Sequence, residues 1–242
     1  MALYKTRGIV LKRHNLGEAD RIITFLTSDR GVVRAVARGV RKIKSRMAGH
    51  LELFCEADLM LAEGKNLDVI TSARLLHYGK TVTGDWQKLQ QAYMFAEMID
   101  KLAGEHSQND GLFEVMQSSY RQLDARPAEP TLELWFKLNL LDRLGHRPRL
   151  EGCVICGEAD ATKNYVLVAE LGGLADTNCA GTGQPKLSPQ AIKLWRVILV
   201  CEAKALSSIQ DAARIAGVSL PACDRFIEYT FGRRFESASL LA

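Results

Sequence analysis

The first eighty residues break into short apolar runs in which inward and outward side chains alternate. Thr6 to Lys12, Arg21 to Leu26, Gly31 to Gly39, Leu51 to Leu61 and Leu67 to Ala73 are rich in Val, Ile, Leu, Phe and Thr. Turn signals at Asn15-Leu-Gly17, Ser28-Asp-Arg-Gly31 and Glu63-Gly-Lys-Asn66 separate them. Five strands in this length predict a small closed or partly open barrel. Phe25 and Phe54 fall inside these apolar patterns and are read as core.

Beyond residue 80 the period lengthens. Trp86 to Leu102 and Leu112 to Leu123 carry apolar residues at helical spacing, joined through the polar stretch Gly104 to Gly111. Leu132 to Leu144 predicts a strongly apolar helix closed by Gly145. Ser188-Pro189 opens another, Ser as cap and Pro in the first turn, running to about Glu202. Ser208 to Ala216 and Leu220 to Phe231 read as two final short helices. The fold class is therefore α+β and multidomain: a barrel over residues 1–80 and a helical domain over 81–242. The Trp, Met and Leu residues of the second half are read as its core.

Charge changes this picture. Residues 1–50 hold twelve Lys or Arg and three Asp or Glu, a net +9, whereas the other 192 hold 20 and 25, a net −5. Such concentration marks a polyanion-binding module. No apolar signal-peptide core and no long apolar span accompany it, which favours nucleic acid over a membrane and a soluble, cytosolic chain. Arg34 and Arg38 share one face of the third strand, roughly 13 Å apart at about 3.3 Å per residue. The run Arg38-Gly-Val-Arg41-Lys42-Ile-Lys44-Ser-Arg46 extends the cluster. Five strands in this order fit the OB fold, a common single-strand binder, yet the module is poor in aromatics. Phosphate contact, not base stacking, is the expected mode. The plainer alternative is a solvated basic face.

The second chemical signal is Cys153-Val-Ile-Cys156-Gly157 followed by Asp176-Thr-Asn-Cys179. This spacing matches a zinc ribbon within residues 150–183, with Cys153, Cys156 and Cys179 as thiolates and Asp176 as the fourth ligand. A water, another side chain or no metal at all are the alternatives. Cys55, Cys201 and Cys223 lie in apolar stretches and read as small core residues. His14, His50, His77, His106 and His146 stand apart from one another and from the cysteines. Gly181-Thr-Gly183 lacks the strand-then-helix setting of a dinucleotide site, and no Walker loop, nuclease carboxylate cluster or nucleophilic triad is visible. A non-enzymatic protein is expected.

Gly8-Ile-Val-Leu11, Gly17-Glu-Ala-Asp20-Arg21-Ile, Thr27 to Gly31, Ala35-Val-Ala-Arg38-Gly39-Val-Arg41 and Ser45-Arg46-Met-Ala-Gly49-His-Leu51, together with the cysteine knuckle, carry a family resemblance over nearly the whole chain. The chain resembles the RecO family of bacterial recombination mediators. In that family an OB domain precedes a helical domain with a zinc-binding insert, where many members have four cysteines; Asp176 departs from that pattern. The resemblance implies a cytoplasmic, nucleoid-associated factor that binds single- and double-stranded DNA, anneals complementary strands and associates with RecR. It further implies loading of RecA onto DNA covered by single-strand-binding protein, with contact to that protein's acidic, apolar tail. Arg34, Arg38, Arg41, Lys42, Lys44 and Arg46 are the DNA-binding candidates, with Arg13 and Arg21 second because Glu18 and Asp20 lie near Arg21. Lys137, Arg143 and Arg147 are candidates for the tail. Two other classes compete: a protein scaffold with incidental DNA contact, and a zinc-ribbon RNA-binding factor.

Overall fold

The computed structural model describes residues 2–104, 111–180 and 185–235, so His106, Gly181-Thr-Gly183 and most of the Gly104 to Gly111 connection lie outside them. The chain divides into two compact units, Met1–Pro127 joined by Phe235, and Ala128–Arg234.

The first unit is built on five strands, β1 (Leu3–Leu16), β2 (Asp20–Thr27), β3 (Gly31–Ala37), β4 (Glu56–Ala62) and β5 (Asp68–His77). They close in the order β1-β2-β3-β5-β4. Closure depends on the length of β1. Its first half pairs with β4, from Leu3 opposite Ala62 to Ile9 opposite Glu56, and its second half with β2, from Gly8 opposite Thr27 to Leu16 opposite Asp20. A register slip between Val10 and Lys12 marks the bend. A short parallel pairing of Ala35 and Val36 with Asp68 and Val69 completes the ring. Val10, Ile23, Phe25, Val33, Ala35, Leu59, Leu61 and Ile70 fill the interior.

Residues 51–55 depart from the expected fourth strand. A 3-10 turn at Ala48–His50 leads into Leu51, whose amide donates to Ala48, and Phe54 takes a left-handed φ of 65°. Phe54 is buried, but its ring packs outside the barrel interior, edge-on to Tyr93 and Tyr120 at 5.1 and 5.4 Å. Those tyrosines belong to α1 (Trp86–Leu102) and α2 (Leu112–Ala125). Glu56, almost fully buried, accepts from Gln117 (2.7 Å) and Arg121 (3.2 Å) of α2. The two helices therefore pack with the barrel, and the compact division falls at residue 127.

The second unit is organised around α3 (Pro130–Arg143), buried on nearly every side and ended by Gly145 at a φ of 80° that favours glycine. A three-stranded antiparallel sheet, β6 (Tyr165–Val168), β7 (Gly173–Asp176) and β8 (Lys186–Leu187), has the order β7-β6-β8. Next comes α4 (Pro189–Ile198), capped by Ser188 Oγ accepting from the Ala191 amide. The expected pair of terminal helices is a single α5 (Ala212–Phe231) that runs through Pro221. Proline removes one helical hydrogen bond. Continuous packing of Ala216, Ser219, Cys223, Phe226 and Ile227 keeps the helix intact across it.

Candidate nucleic-acid interface and metal centre

Between β3 and β4 the chain dips into the barrel core at Val40 and again at Leu51, and displays its cations in between. The base of this loop is pinned to the β1–β2 turn. The Gly39 amide donates to Asp20 Oδ1 (2.7 Å), the Arg41 amide to the Ala19 carbonyl (2.9 Å) and the Arg41 guanidinium to the Gly17 carbonyl (2.8 Å). A turn closed by the Ser45 amide on the Lys42 carbonyl (2.9 Å) then projects outward.

Arg34, Arg38, Arg41, Lys42, Lys44 and Arg46 are all exposed, as the strand alternation implies for the first two. Among the described residues, Arg38, Lys42, Lys44 and Arg46 meet no carboxylate. Arg13 and Arg21 are half-buried and converge on one acid: both pair with Glu52, Arg21 at 3.6 Å, and Arg21 also donates to Asn15 Oδ1 (3.3 Å). The partner of Arg21 is thus Glu52, not Glu18 or Asp20.

Aromatic side chains of the barrel are committed elsewhere. Phe25 is fully buried, Tyr4 lies under the Arg30 guanidinium at 3.8 Å and donates to Asp68, and Tyr78 shares a hydrogen bond with Thr83. Two cations that sequence reasoning passed over, Lys5 and Arg7, share one face of β1. With Arg74 they line a shallow groove of about 500 Å³ that also holds Asp58, the ion-pair partner of Arg74 at 2.5 Å. Their spacing of two along a strand was the available signal.

In the second unit the turn at Cys153 to Gly157 is a tight knuckle. The Gly157 amide donates to the Cys153 carbonyl (2.9 Å), and Gly157 holds a φ of 78°. Cys153 N donates to the Glu158 carbonyl (2.8 Å) and Val154 N to the Leu174 carbonyl (2.7 Å), which seats the knuckle along β7. A second turn follows β7, with the Cys179 and Ala180 amides both donating to the Asp176 carbonyl at 2.9 Å. The two turns bring the sulfurs of Cys153, Cys156 and Cys179 within 4.8 Å of one another.

Cys153 Sγ accepts from the amides of Asp176 (3.3 Å) and Cys156 (3.5 Å). Burial opposes its ionisation, but these amide donors outweigh burial and bring the thiol down to about 7. Cys179 moves the other way, to about 12, first through its hydrogen bond with Cys156, then through burial and the nearness of Cys153. Three thiols in mutual contact ionise together only around a cation, so this donor set fits a thiophilic metal. The Asp176 carboxylate does not join the three sulfurs. Its Oδ1 accepts from the Asn178 amide (2.8 Å), and its buried Oδ2 lies 3.6 Å from Lys163 Nζ.

Cys55 and Cys223 are buried, with the Cys55 thiol pushed up by burial to about 11, and Cys201 Sγ contacts the Ile198 carbonyl. His14 is exposed, His50 accepts from the Leu75 amide, His77 faces Asp124, and His146 lies edge-on to Phe231. Of the three tail candidates, Lys137 is 4% exposed and bound to Glu133 and Asp224, which removes it from the accessible surface. Arg143 and Arg147 are exposed, Arg147 beside Asp142 at 3.7 Å.

Two family models cover the chain: Recombination protein O N terminal over residues 1–78 and Recombination protein O C terminal over residues 83–239. The chain belongs to the RecO family. It is 38% identical over 200 residues to the DNA repair protein RecO of Roseiflexus sp. (strain RS-1), covering 81% of this chain and 70% of that one. With the DNA repair protein RecO of Bifidobacterium longum (strain DJO10A) it shares 32% over 244 residues, 100% of this chain and 99% of the relative. The Dehalococcoides mccartyi (strain ATCC BAA-2266 / KCTC 15142 / 195) protein of the same name is 34% identical over 198 residues, 81% of this chain and 78% of its own. RecO membership gives the chain a role in DNA repair and recombination. Among the described residues no helix is long and apolar enough to cross a membrane.

Proposed function

We propose that the protein is a recombination mediator that holds DNA by its phosphates and leaves the bases free to pair. Arg34, Arg38, Arg41, Lys42, Lys44 and Arg46 form the grip, which accepts single strands and duplex without regard to sequence. Two strands held this way anneal when complementary. Working with RecR, the protein then helps place RecA on DNA coated by single-strand-binding protein, whose acidic, apolar tail it contacts.

The observation that carries this reading is the pinned loop. Its base is fixed by Asp20, Ala19 and Gly17, while Lys42, Lys44 and Arg46 stand in solvent without acidic partners among the described residues. The commitment of Phe25, Phe54 and Tyr4 to packing favours phosphate contact over stacking. The test is strand annealing by the full chain carrying Arg38→Glu, Lys42→Glu, Lys44→Glu and Arg46→Glu together. Annealing is expected to disappear at physiological salt with the melting curve unchanged, and undiminished annealing overturns the reading.

In the second unit, the thiolates of Cys153, Cys156 and Cys179 are proposed to hold one zinc. Bound there, zinc would supply a structural crosslink between the Cys153 to Gly157 knuckle and the turn that follows β7. Elemental analysis of protein purified without added metal is expected to find about one zinc per chain. A metal-free protein with an unaltered melting curve contradicts that assignment.

A further inference from the structure

Resting on the metal reading above, we infer that Asp176 is not a ligand: among the described residues the three thiolates are the whole donor set, and the fourth position belongs to an exogenous donor. Water occupies it in the simplest case, and a small thiolate competes for it.

The geometry assigns Asp176 three other tasks. Its amide donates to Cys153 Sγ (3.3 Å), and its carbonyl accepts from Cys179 and Ala180 to close the second turn. Its Oδ1 holds the Asn178 amide (2.8 Å), fixing the turn that presents Cys179. Its Oδ2 is aimed at Lys163 (3.6 Å), which also binds Glu158 at 2.8 Å. Oδ1 is thus held by an amide hydrogen, while Oδ2 is buried without a hydrogen bond and pairs with Lys163 by charge alone; neither oxygen joins the three sulfurs, which lie within 4.8 Å of one another. Asp176 is also 3% exposed, whereas Cys156 and Cys179 are exposed, so these two sulfurs are accessible to a donor from solvent. Residues 181–184, Gly-Thr-Gly-Gln, offer no thiol, imidazole or carboxylate in its place. A three-donor site with one solvent position is the arrangement in which zinc exchanges ligands, in contrast to the closed four-thiolate type.

The experiment uses the full chain loaded with cobalt(II) in place of zinc and reads the visible ligand-field bands and the sulfur-to-cobalt absorption. Asp176→Asn keeps the Oδ1 acceptor for Asn178 and removes the charge. It is expected to leave cobalt affinity within about threefold and the bands in place, whereas loss of a true ligand or of its direct support costs about tenfold or more. Titrating unmodified, cobalt-loaded protein with 2-mercaptoethanol is expected to add sulfur-to-cobalt absorption as a fourth thiolate enters, and needs no variant. A tenfold loss with shifted bands in Asp176→Asn, or no added absorption with thiol, overturns the inference while leaving the metal site standing. Failure of cobalt to bind at all removes the metal reading and this inference with it.

Discussion

Phe54 combines a φ of 65° with a side chain that is 2% exposed, a costly pairing for a bulky residue. Edge-on contacts with Tyr93 and Tyr120 hold it there, and Phe54→Ala is expected to cost about 3–5 kcal/mol in urea unfolding. A loss below about 1 kcal/mol contradicts that role. For the cations, phosphate contact and internal pairing separate by salt dependence. Lys42→Ala and Lys44→Ala are each expected to reduce the salt slope of single-strand binding by about 0.7, whereas Arg13→Ala and Arg21→Ala leave it unchanged. The exposure of Arg34 and Arg38 was legible because alternation is a local property of a strand. Glu52 as the shared partner of Arg13 and Arg21 was not, since only the folded loop brings it across. Lys137 was misjudged for the same reason, its acid Asp224 lying 87 residues away.

At the scale of elements, α3 carries a buried charge through the middle of the second unit. Lys137 loses hydration there, but Glu133 and Asp224 more than compensate and hold its ammonium charged above the ordinary lysine value of 10.5. Lys137→Met strands two acids against an apolar side chain and is expected to cost about 3 kcal/mol, the low end for a broken buried pair because Asp224 is half exposed. The sign of the pH effect follows from a raised folded-state value. The stabilisation is complete below about 10.5 and is lost as pH rises through the higher value of the folded state. Thermal unfolding from pH 9 upward is expected to fall more steeply in the unmodified protein than in Lys137→Met, and parallel curves contradict the assignment. Long periodic elements such as α1 and α3 were legible in the sequence. The strands β6, β7 and β8, of four, four and two residues, were too short to display alternation, and the two short terminal helices expected on either side of residues 217–219 are one, carried through Pro221 because tertiary packing outweighs its missing amide.

For the whole molecule, the barrel and its basic loop carry the functional claim, and α1 and α2 belong with that unit through Phe54 and Glu56. The compact division at residue 127 depends on contacts between residues some sixty positions apart, which no local pattern displays, whereas the concentration of cations in residues 1–50 is a property of the sequence itself. Removal of the metal is expected to lower the melting temperature and leave the salt slope of DNA binding intact, because the sulfur cluster and the loop lie in different units. The most direct test of the central claim is the affinity of the full chain for a single-stranded oligonucleotide across a range of salt concentrations. Six phosphate contacts predict a log–log slope of about −4, the same for oligonucleotides of different sequence. A nearly flat slope, or one that changes with base composition, contradicts a grip on the backbone.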